Sequence, residues 1–223
     1  MNILAIETST EYCSAALWCD GALSTRCELA GQKHSQMLMP MADELLREAG
    51  LKLAQLDGIA FGMGPGSFTG VRIACGVAQG LALGADLPVV GICTLQALAE
   101  ASGQERVIAA LDARMGEIYH AAYEKRGEAW VAVCEPNLCA PQDAPVPDES
   151  GWFGIGSGFM AHHDTLRTRY LGRLGGMDSQ AVPQAAAIVR LAAPQFAAGQ
   201  GVDAALAAPF YLRDKVALKS SER

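Results

Sequence analysis

Leu56-Asp-Gly-Ile-Ala-Phe61, then Gly62-Met63-Gly64-Pro65-Gly66-Ser67-Phe68-Thr69-Gly70, then Val71-Arg72-Ile73-Ala74-Cys75-Gly76-Val77-Ala78-Gln79-Gly80-Leu81-Ala82-Leu83-Gly84 read in succession as a short strand, a glycine-rich loop and an almost wholly apolar helix. The helix is expected from about Ser67 to Ala85, and Arg72 and Gln79 are its only strongly polar side chains. A helix that is apolar around most of its circumference must be covered on most of it. A sheet can cover one side only. The other side then needs a neighbouring helix, a second protein, or both. Gly76, Gly80 and Gly84 stand four apart, as do Ala74, Ala78 and Ala82, and small residues at that spacing let another helix approach closely. A central core helix and an interface helix both satisfy this pattern.

Working outward, Asn2 to Ile6 fits a fully buried strand and Ser14 to Cys19 a second. Asp20-Gly21 is a hairpin signal, and Ala22 to Leu29 alternates as a third strand. A helix is expected from Ser35 to Ala49, closed by Gly50, with Pro40 arguing for a late start or a kink. After the apolar helix come a strand at Pro88 to Cys93 and a helix at Leu95 to Ala101. A second unit begins near Glu105, with strands at Arg106 to Asp112, Glu117 to Tyr123, Ala129 to Cys134 and Trp152 to Ile155. Helical patterns follow at His162 to Tyr170 and Pro183 to Ala198, and Glu135 to Ser150, with four prolines, reads as irregular. A strand meander followed by helix–strand alternation, given twice, predicts an α/β protein of two lobes, residues 1–104 and 105–223, each a mixed sheet flanked by helices. The C-terminal segment of the second unit is allowed to return to the first lobe.

The chain has 223 residues, of which 51% are hydrophobic and 18% charged. That balance excludes a disordered chain, and about 70% of the unfolded surface can be buried at this length. The formal net charge is −7. A protein that gripped nucleic acid unaided would present a basic surface, so nucleic-acid binding by this chain alone is not expected. Seven cysteines without a C-x-x-C pair suit small thiols in a reducing compartment. The N-terminus lacks a basic region, and Val71 to Leu87 is short and interrupted by Arg72 and Gln79. A cytoplasmic chain without a membrane span is therefore expected.

The loop from Gly62 to Gly70 joins strand to helix, where successive N–H groups can hold an anion. It lacks a Walker lysine and does not fit G-x-G-x-x-G. A tight turn needing Gly64, Pro65, Gly66 and Gly70, with Ser67 or Thr69 capping the helix, is the other reading. Glu7-Thr8-Ser9-Thr10 is a polar hairpin whose hydroxyls could bond phosphate or satisfy the turn. Asp112, Arg114 and Glu117 lie at a hairpin of the second unit, where Asp112 could hold magnesium, activate water, or form the turn and pair with Arg114. Gly154-Ile-Gly156-Ser-Gly158 is a weak signal. His162 and His163 are adjacent, hence about 100° apart on a helix and a poor metal pair. Met37, Met39 and Met41 with Leu38 suit either a core or an adaptable binding surface.

Together, Ile3-Leu-Ala-Ile-Glu-Thr-Ser-Thr10, His34-Ser35, Gly64-Pro-Gly-Ser-Phe-Thr-Gly70 with Arg72-Ile73, Ala78-Gln-Gly-Leu-Ala82, Asp112-Ala-Arg-Met115 with Glu117, and Tyr211-Leu-Arg213 resemble the TsaB (YeaZ) family of tRNA threonylcarbamoyladenosine biosynthesis proteins. The resemblance spans nearly the whole chain. It implies a two-lobed actin/Hsp70-like (ASKHA) nucleotide-binding fold. It also implies a heterodimer with a TsaD-like paralogue that transfers the threonylcarbamoyl group to an adenosine of tRNA, and a TsaE-like ATPase as third component. ATP and a metal ion belong to those partners. This chain is expected to bind no cofactor and to act as scaffold and activator, touching tRNA through the complex and forming a homodimer in isolation.

The family pairs through its first two helices. The resemblance therefore implies an interface containing His34, Met37, Leu38, Met41, Leu45, Arg72, Cys75, Gln79 and Leu83; a charge at Cys75 or Leu83 should block pairing if these two face outward, and leave it unchanged if that face is core. Glu7, Thr8, Ser9, Thr10, Asp112, Arg114 and Glu117 would form a cleft or vestigial nucleotide site. The His-x-x-x-His pair of the catalytic paralogue is missing, and the phosphate hairpin of active relatives is replaced by Asp112-Ala-Arg-Met115. Those departures speak for a non-catalytic chain. The competing readings, an ATP-dependent small-molecule kinase or a peptidase, lack the groups they need. The basic residues Arg213, Lys215, Lys219 and Arg223 suit a solvated tail or a contact to tRNA or a partner.

Overall fold

The structure is a computed structural model that describes residues 1–213. Lys215, Lys219 and Arg223 of the basic tail lie outside the described residues. The first half folds as strands β1 (Asn2–Glu7), β2 (Tyr12–Cys19) and β3 (Ala22–Leu29), helix α1 (His34–Glu48), β4 (Gly58–Gly64), α2 (Phe68–Ala85), β5 (Val89–Cys93) and α3 (Thr94–Ala101). The second half follows as β6 (Arg106–Arg114), β7 (Glu117–Arg126), β8 (Ala129–Cys139), β9 (Trp152–Ile155), α4 (Ser157–Ala161), α5 (His163–Arg169), β10 (Leu174–Asp178) and α6 (Ala185–Ala197).

The five strands of the first lobe are ordered β3-β2-β1-β4-β5 and those of the second β10-β9-β6-β7-β8. Read from opposite ends, these are one topology written twice. In each, an antiparallel meander of three strands is extended by two parallel ones, with β1 beside β4 and β6 beside β9. The meanders are tied by tight turns. Asp20-Gly21 both have positive φ, as a two-residue hairpin loop requires. Parallel strands need covered faces, and each sheet has a helix layer on both sides.

The helix layers are exchanged between the lobes. One face of the first sheet is covered by α1 and α2, which bury Leu38, Met41, Leu45, Ala74, Cys75, Ala78 and Ala82 against Leu4, Ile6, Ile59 and Phe61. Its other face is covered by α6, about ninety residues beyond the last first-lobe strand, whose Ala185, Ile188, Val189 and Ala192 pack on Ile3, Ala5, Ala60 and Val90. Conversely α3 lays Leu95, Leu98 and Ala99 on Val107, Ala109 and Leu111 of the second sheet. The outer face of that sheet holds Phe159, Leu166 and Tyr170 of the α4–α5 region.

The structure departs from the expectations at five places. Helix α1 runs on through Pro40 rather than starting after it. Pro40 is exposed, so the Gln36 carbonyl it leaves free can bond water. Strand β8 continues to Cys139 into the supposedly irregular stretch, with register shifts that absorb Pro136. The helical pattern after Ile155 starts at Ser157 and is broken at His162 into α4 and α5. Strand β10, Leu-Gly-Gly-Met-Asp, carries too little apolar alternation to announce itself, and pairs because β9 offers a free edge. Lastly, α2 is long and apolar enough to cross a bilayer by length and composition, so Arg72 and Gln79 do not disqualify it as supposed. Here its inner face is packed on the first sheet.

Candidate functional site: the interlobe cleft and the outer face of α2

The glycines of the loop are placed by what they touch. A Cβ on Gly62 would lie 1.6 Å from Glu7 Oε2, one on Gly66 2.6 Å from Ser9, and one on Gly70 1.9 Å from the Thr8 carbonyl oxygen. The loop is therefore bare so that the Glu7-Thr8-Ser9 hairpin can lie against it. The hydrogen bonds say the same. Ser67 N–H donates to Ser9 O at 2.7 Å, Thr8 Oγ1 donates to Gly70 O at 2.7 Å, and Thr94 Oγ1 donates to Pro65 O at 2.5 Å. Ser67 is the cap of α2, its hydroxyl accepting from Gly70 N–H, while Thr69 is not. Much of what could hold an anion is spent on the chain's own hairpin.

Glu7 and Thr8 sit beneath the loop and not in a cleft; both are buried. Glu7 Oε1 accepts the Ser9 N–H, and Oε2 has no hydrogen-bond partner among the described residues. Burial pushes this carboxyl above the usual carboxylate range, against the pull of the Ser9 and Thr8 donors.

Between the lobes lies a cleft of about 1230 Å³. Ser9, Thr10, His34 and the loop from Pro65 to Ile73 form one wall, Leu111 to Met115, Tyr119, Ser157 and Met160 the other, and Phe210 to Arg213 an edge. Asp112 serves its own turn: its Oδ1 accepts Arg114 N–H at 2.9 Å and its Oδ2 lies 3.2 Å from Arg114 Nη1. Its amide donates to Ser157 Oγ at 3.1 Å, and His162 Nε2 stands 3.9 Å from Oδ1. Arg114 and Met115 have φ of +62° and +57°, a left-handed conformation costly for side chains other than glycine, and Met115 is 65% exposed. Two long side chains thus stand at the tip of the hairpin on this wall of the cleft. Glu117 does not face the cleft; it pairs with Arg213 at 2.5 Å. Among the described residues no three His, Cys, Asp or Glu side chains group closely enough to hold a metal.

The expected interface residues divide. Leu38, Met41, Leu45 and Cys75 belong to the first-lobe core, so they offer no surface, and of the pair Cys75 and Leu83 the first faces inward. Their positions fall on the α1 and α2 stripe over the sheet. His34 is buried too, its Nε2 2.8 Å from Thr10 O. Met37 is half-buried, and Gln79 donates from Nε2 to Ala207 O at 2.9 Å. Arg72 and Leu83 are exposed, Leu83 by 77%. Around them a Cβ on Gly76, Gly80 or Gly84 would meet nothing within 4 Å. Phe68, Met39 and Leu206 are further exposed apolar side chains.

Sequence reasoning missed one constellation. The Arg72 guanidinium lies 3.2 Å from the centroid of Phe68 and 5.0 Å from that of Tyr211, and the two rings are 6.1 Å apart. The (i, i+4) spacing of Phe68 and Arg72 could have suggested half of it. No local pattern reaches Tyr211.

With this geometry in view, comparison with known proteins is decisive. The TsaB protein of Escherichia coli, a tRNA threonylcarbamoyladenosine biosynthesis protein, is 41% identical over 98% of this chain and 97% of its own length. The chain belongs to the TsaB family. The Haemophilus influenzae TsaB protein is 38% identical over 98% of this chain and 96% of its own. The solved structure of YeaZ from Pseudomonas aeruginosa superposes with a TM-score of 0.89 at 39% identity, covering 95% of this chain and 99% of that one. The family model described as TsaD: tRNA N6-adenosine threonylcarbamoyltransferase matches residues 26–151. The fold is thus the two-lobed ASKHA-like one, and the function lies in threonylcarbamoyladenosine synthesis on tRNA.

Proposed function

We propose that this chain is the non-catalytic scaffold and activator of tRNA threonylcarbamoyl transfer, and that it docks a TsaD-like paralogue on the outer face of α2. The observation that carries the reading is the state of that face. An 18-residue helix with one charged side chain leaves Gly76, Gly80 and Gly84 in open space beside exposed Leu83 and Phe68. An apolar face of this kind on a folded chain marks an interaction site. The paralogue's equivalent helices are its partner, and a second copy of this chain takes the place when the paralogue is missing. Leu38, Met41, Leu45 and Cys75 support α1 and α2 from below.

The chain works without ATP or a metal of its own. The loop that would receive phosphate is packed on the Glu7-Thr8-Ser9 hairpin, and Arg114 and Met115 project from the opposite hairpin. The same features disfavour a kinase. A TsaE-like ATPase joins the pair, tRNA is met through the complex, and free cysteines suit work in the cytoplasm.

The test is reconstitution of threonylcarbamoyladenosine on unmodified tRNA from purified components. Omitting this chain should abolish product, and this chain should give none in place of the paralogue. Full product without it would overturn the reading.

A further inference from the structure

The segment Phe210–Arg213 runs from one lobe to the other. Phe210 N–H donates to Met63 O of β4 at 2.7 Å. Tyr211 completes the stack on Phe68 and Arg72 at the start of α2. Arg213, whose side chain is only 16% exposed, reaches Glu117 Oε2 at 2.5 Å and lies 3.4 Å from Met115 Sδ. Four residues therefore hold three things: the end of β4, the outer face of α2, and the hairpin whose Arg114 and Met115 occupy left-handed backbone. A hairpin in that conformation keeps one geometry only where its surroundings fix it. Arg72 has no carboxylate within 4.0 Å among the described residues, so its partners are the two rings and the Phe68 carbonyl oxygen, to which its Nη1 donates at 3.4 Å.

We propose that Phe210–Arg213 is a strap that couples occupancy of the α2 face to the position of the Asp112–Glu117 hairpin at the cleft mouth. It deepens the docking reading above and uses the same face. A partner covering α2 removes water from Arg72, and a cation over aromatic rings gains strength when desolvated. Seating the partner thus tightens the Phe68–Arg72–Tyr211 stack, draws the strap down, and through Arg213 holds the hairpin. Because coupling is reciprocal, loosening the Arg213–Glu117 end weakens the stack.

The Phe210 amide reports the strap, and Ile59 N–H, bonded to Pro88 O at 3.0 Å inside the first lobe, reports global opening. Amide exchange on the full chain should show Phe210 exchanging about fivefold faster in Glu117→Gln and about threefold faster in Arg72→Gln, with Ile59 unchanged. Arg26→Gln, which breaks a pair between β3 and Glu48 at the C-terminal end of α1, should leave Phe210 as in the unsubstituted chain. Adding the TsaD-like paralogue should slow Phe210 exchange, and should do so less in Glu117→Gln.

A Phe210 rate that ignores either substitution, or that rises only in step with Ile59, overturns the strap. A paralogue that binds without slowing Phe210 overturns its link to α2. A paralogue that fails to bind at all counts against the docking reading alone, and the two substitutions still decide the strap.

Discussion

Adding one methyl group at chosen glycines separates the two uses this chain makes of them. At Gly70 the new Cβ would sit 1.9 Å from the Thr8 carbonyl oxygen and 3.0 Å from its carbon. Both are backbone atoms that no rotamer change can move. Overpacking of this kind costs about 1–3 kcal/mol. Disturbing the Thr8 Oγ1–Gly70 O bond adds about 1 kcal/mol. Alanine's better helix propensity returns about 0.8–1 kcal/mol. Gly70→Ala should therefore lose about 1–3 kcal/mol, and the melting temperature should fall by about 2–12 °C at this chain length. Gly76 and Gly80 lie in the same helix with nothing within 4 Å and no positive φ. Gly76→Ala and Gly80→Ala should each gain about 0.4–1 kcal/mol in the isolated chain. The same methyl holds a docked helix away, and pairing with the paralogue should weaken about tenfold or more. Thermal unfolding followed by circular dichroism reads the first effect and calorimetric titration with the paralogue the second. Tolerance of Gly70→Ala would refute the packing account of the loop. Unchanged affinity in Gly80→Ala would refute close helix packing on α2.

Leu83→Glu should leave unfolding within about 0.5 kcal/mol of the unsubstituted chain and abolish pairing, whereas Cys75→Glu should cost more than about 3 kcal/mol because it buries an unpaired charge; urea titration and size exclusion separate them. In the second lobe His120 is buried, accepts from Asn137 Nδ2 at 3.4 Å, and meets Tyr170 Oη at 2.9 Å. Burial lowers its pKa from 6.5 to about 4. The unfolded chain then binds a proton that the folded chain refuses, so stability is full above pH 6.5 and falls between pH 6.5 and about 4, by on the order of 3 kcal/mol. Urea midpoints across that range should flatten in His120→Gln. Glu7 acts in the opposite sense. Its raised pKa makes the folded chain hold the proton more tightly, so its ionisation costs stability as pH rises above 4.5. Glu7→Gln should be more stable than the unsubstituted chain at pH 7, with the difference shrinking toward pH 4 in the same titration.

The architecture was legible wherever local pattern and fold agree. The Leu56–Ala85 unit, the Asp20-Gly21 hairpin and the short strand at Trp152 declare themselves through period and turn chemistry. Strand β10 does not, because glycines supply no alternation and its pairing is decided by β9. At the site, spacing placed Leu38, Met41, Leu45 and Cys75 on one stripe, yet it could not say whether that stripe met a sheet or a partner. The hydrophobic effect has no direction, and only the position of β4 decides it. Glu7 and Thr8 look like cleft residues by type. The glycines across from them show that they are buried, and that contact spans more than fifty residues of sequence. Tyr211 and Arg213 stand out only through the family resemblance and the basic tail, and no local pattern names their partners, which are set by the meeting of the two lobes.

The exchanged helices have a consequence for how the chain acquires its shape. The first sheet has one face bare until α6 arrives, although its own strands end at Cys93. A fragment ending near residue 104 would expose Ile3, Ala5, Ala60 and Val90 to water, and should be sticky rather than an independent folding unit. During synthesis the ribosome has delivered every strand of both sheets before that face can close. The two lobes, so clearly repeated in topology, mature as one cooperative body, and a cut between them should yield halves that assemble only with each other.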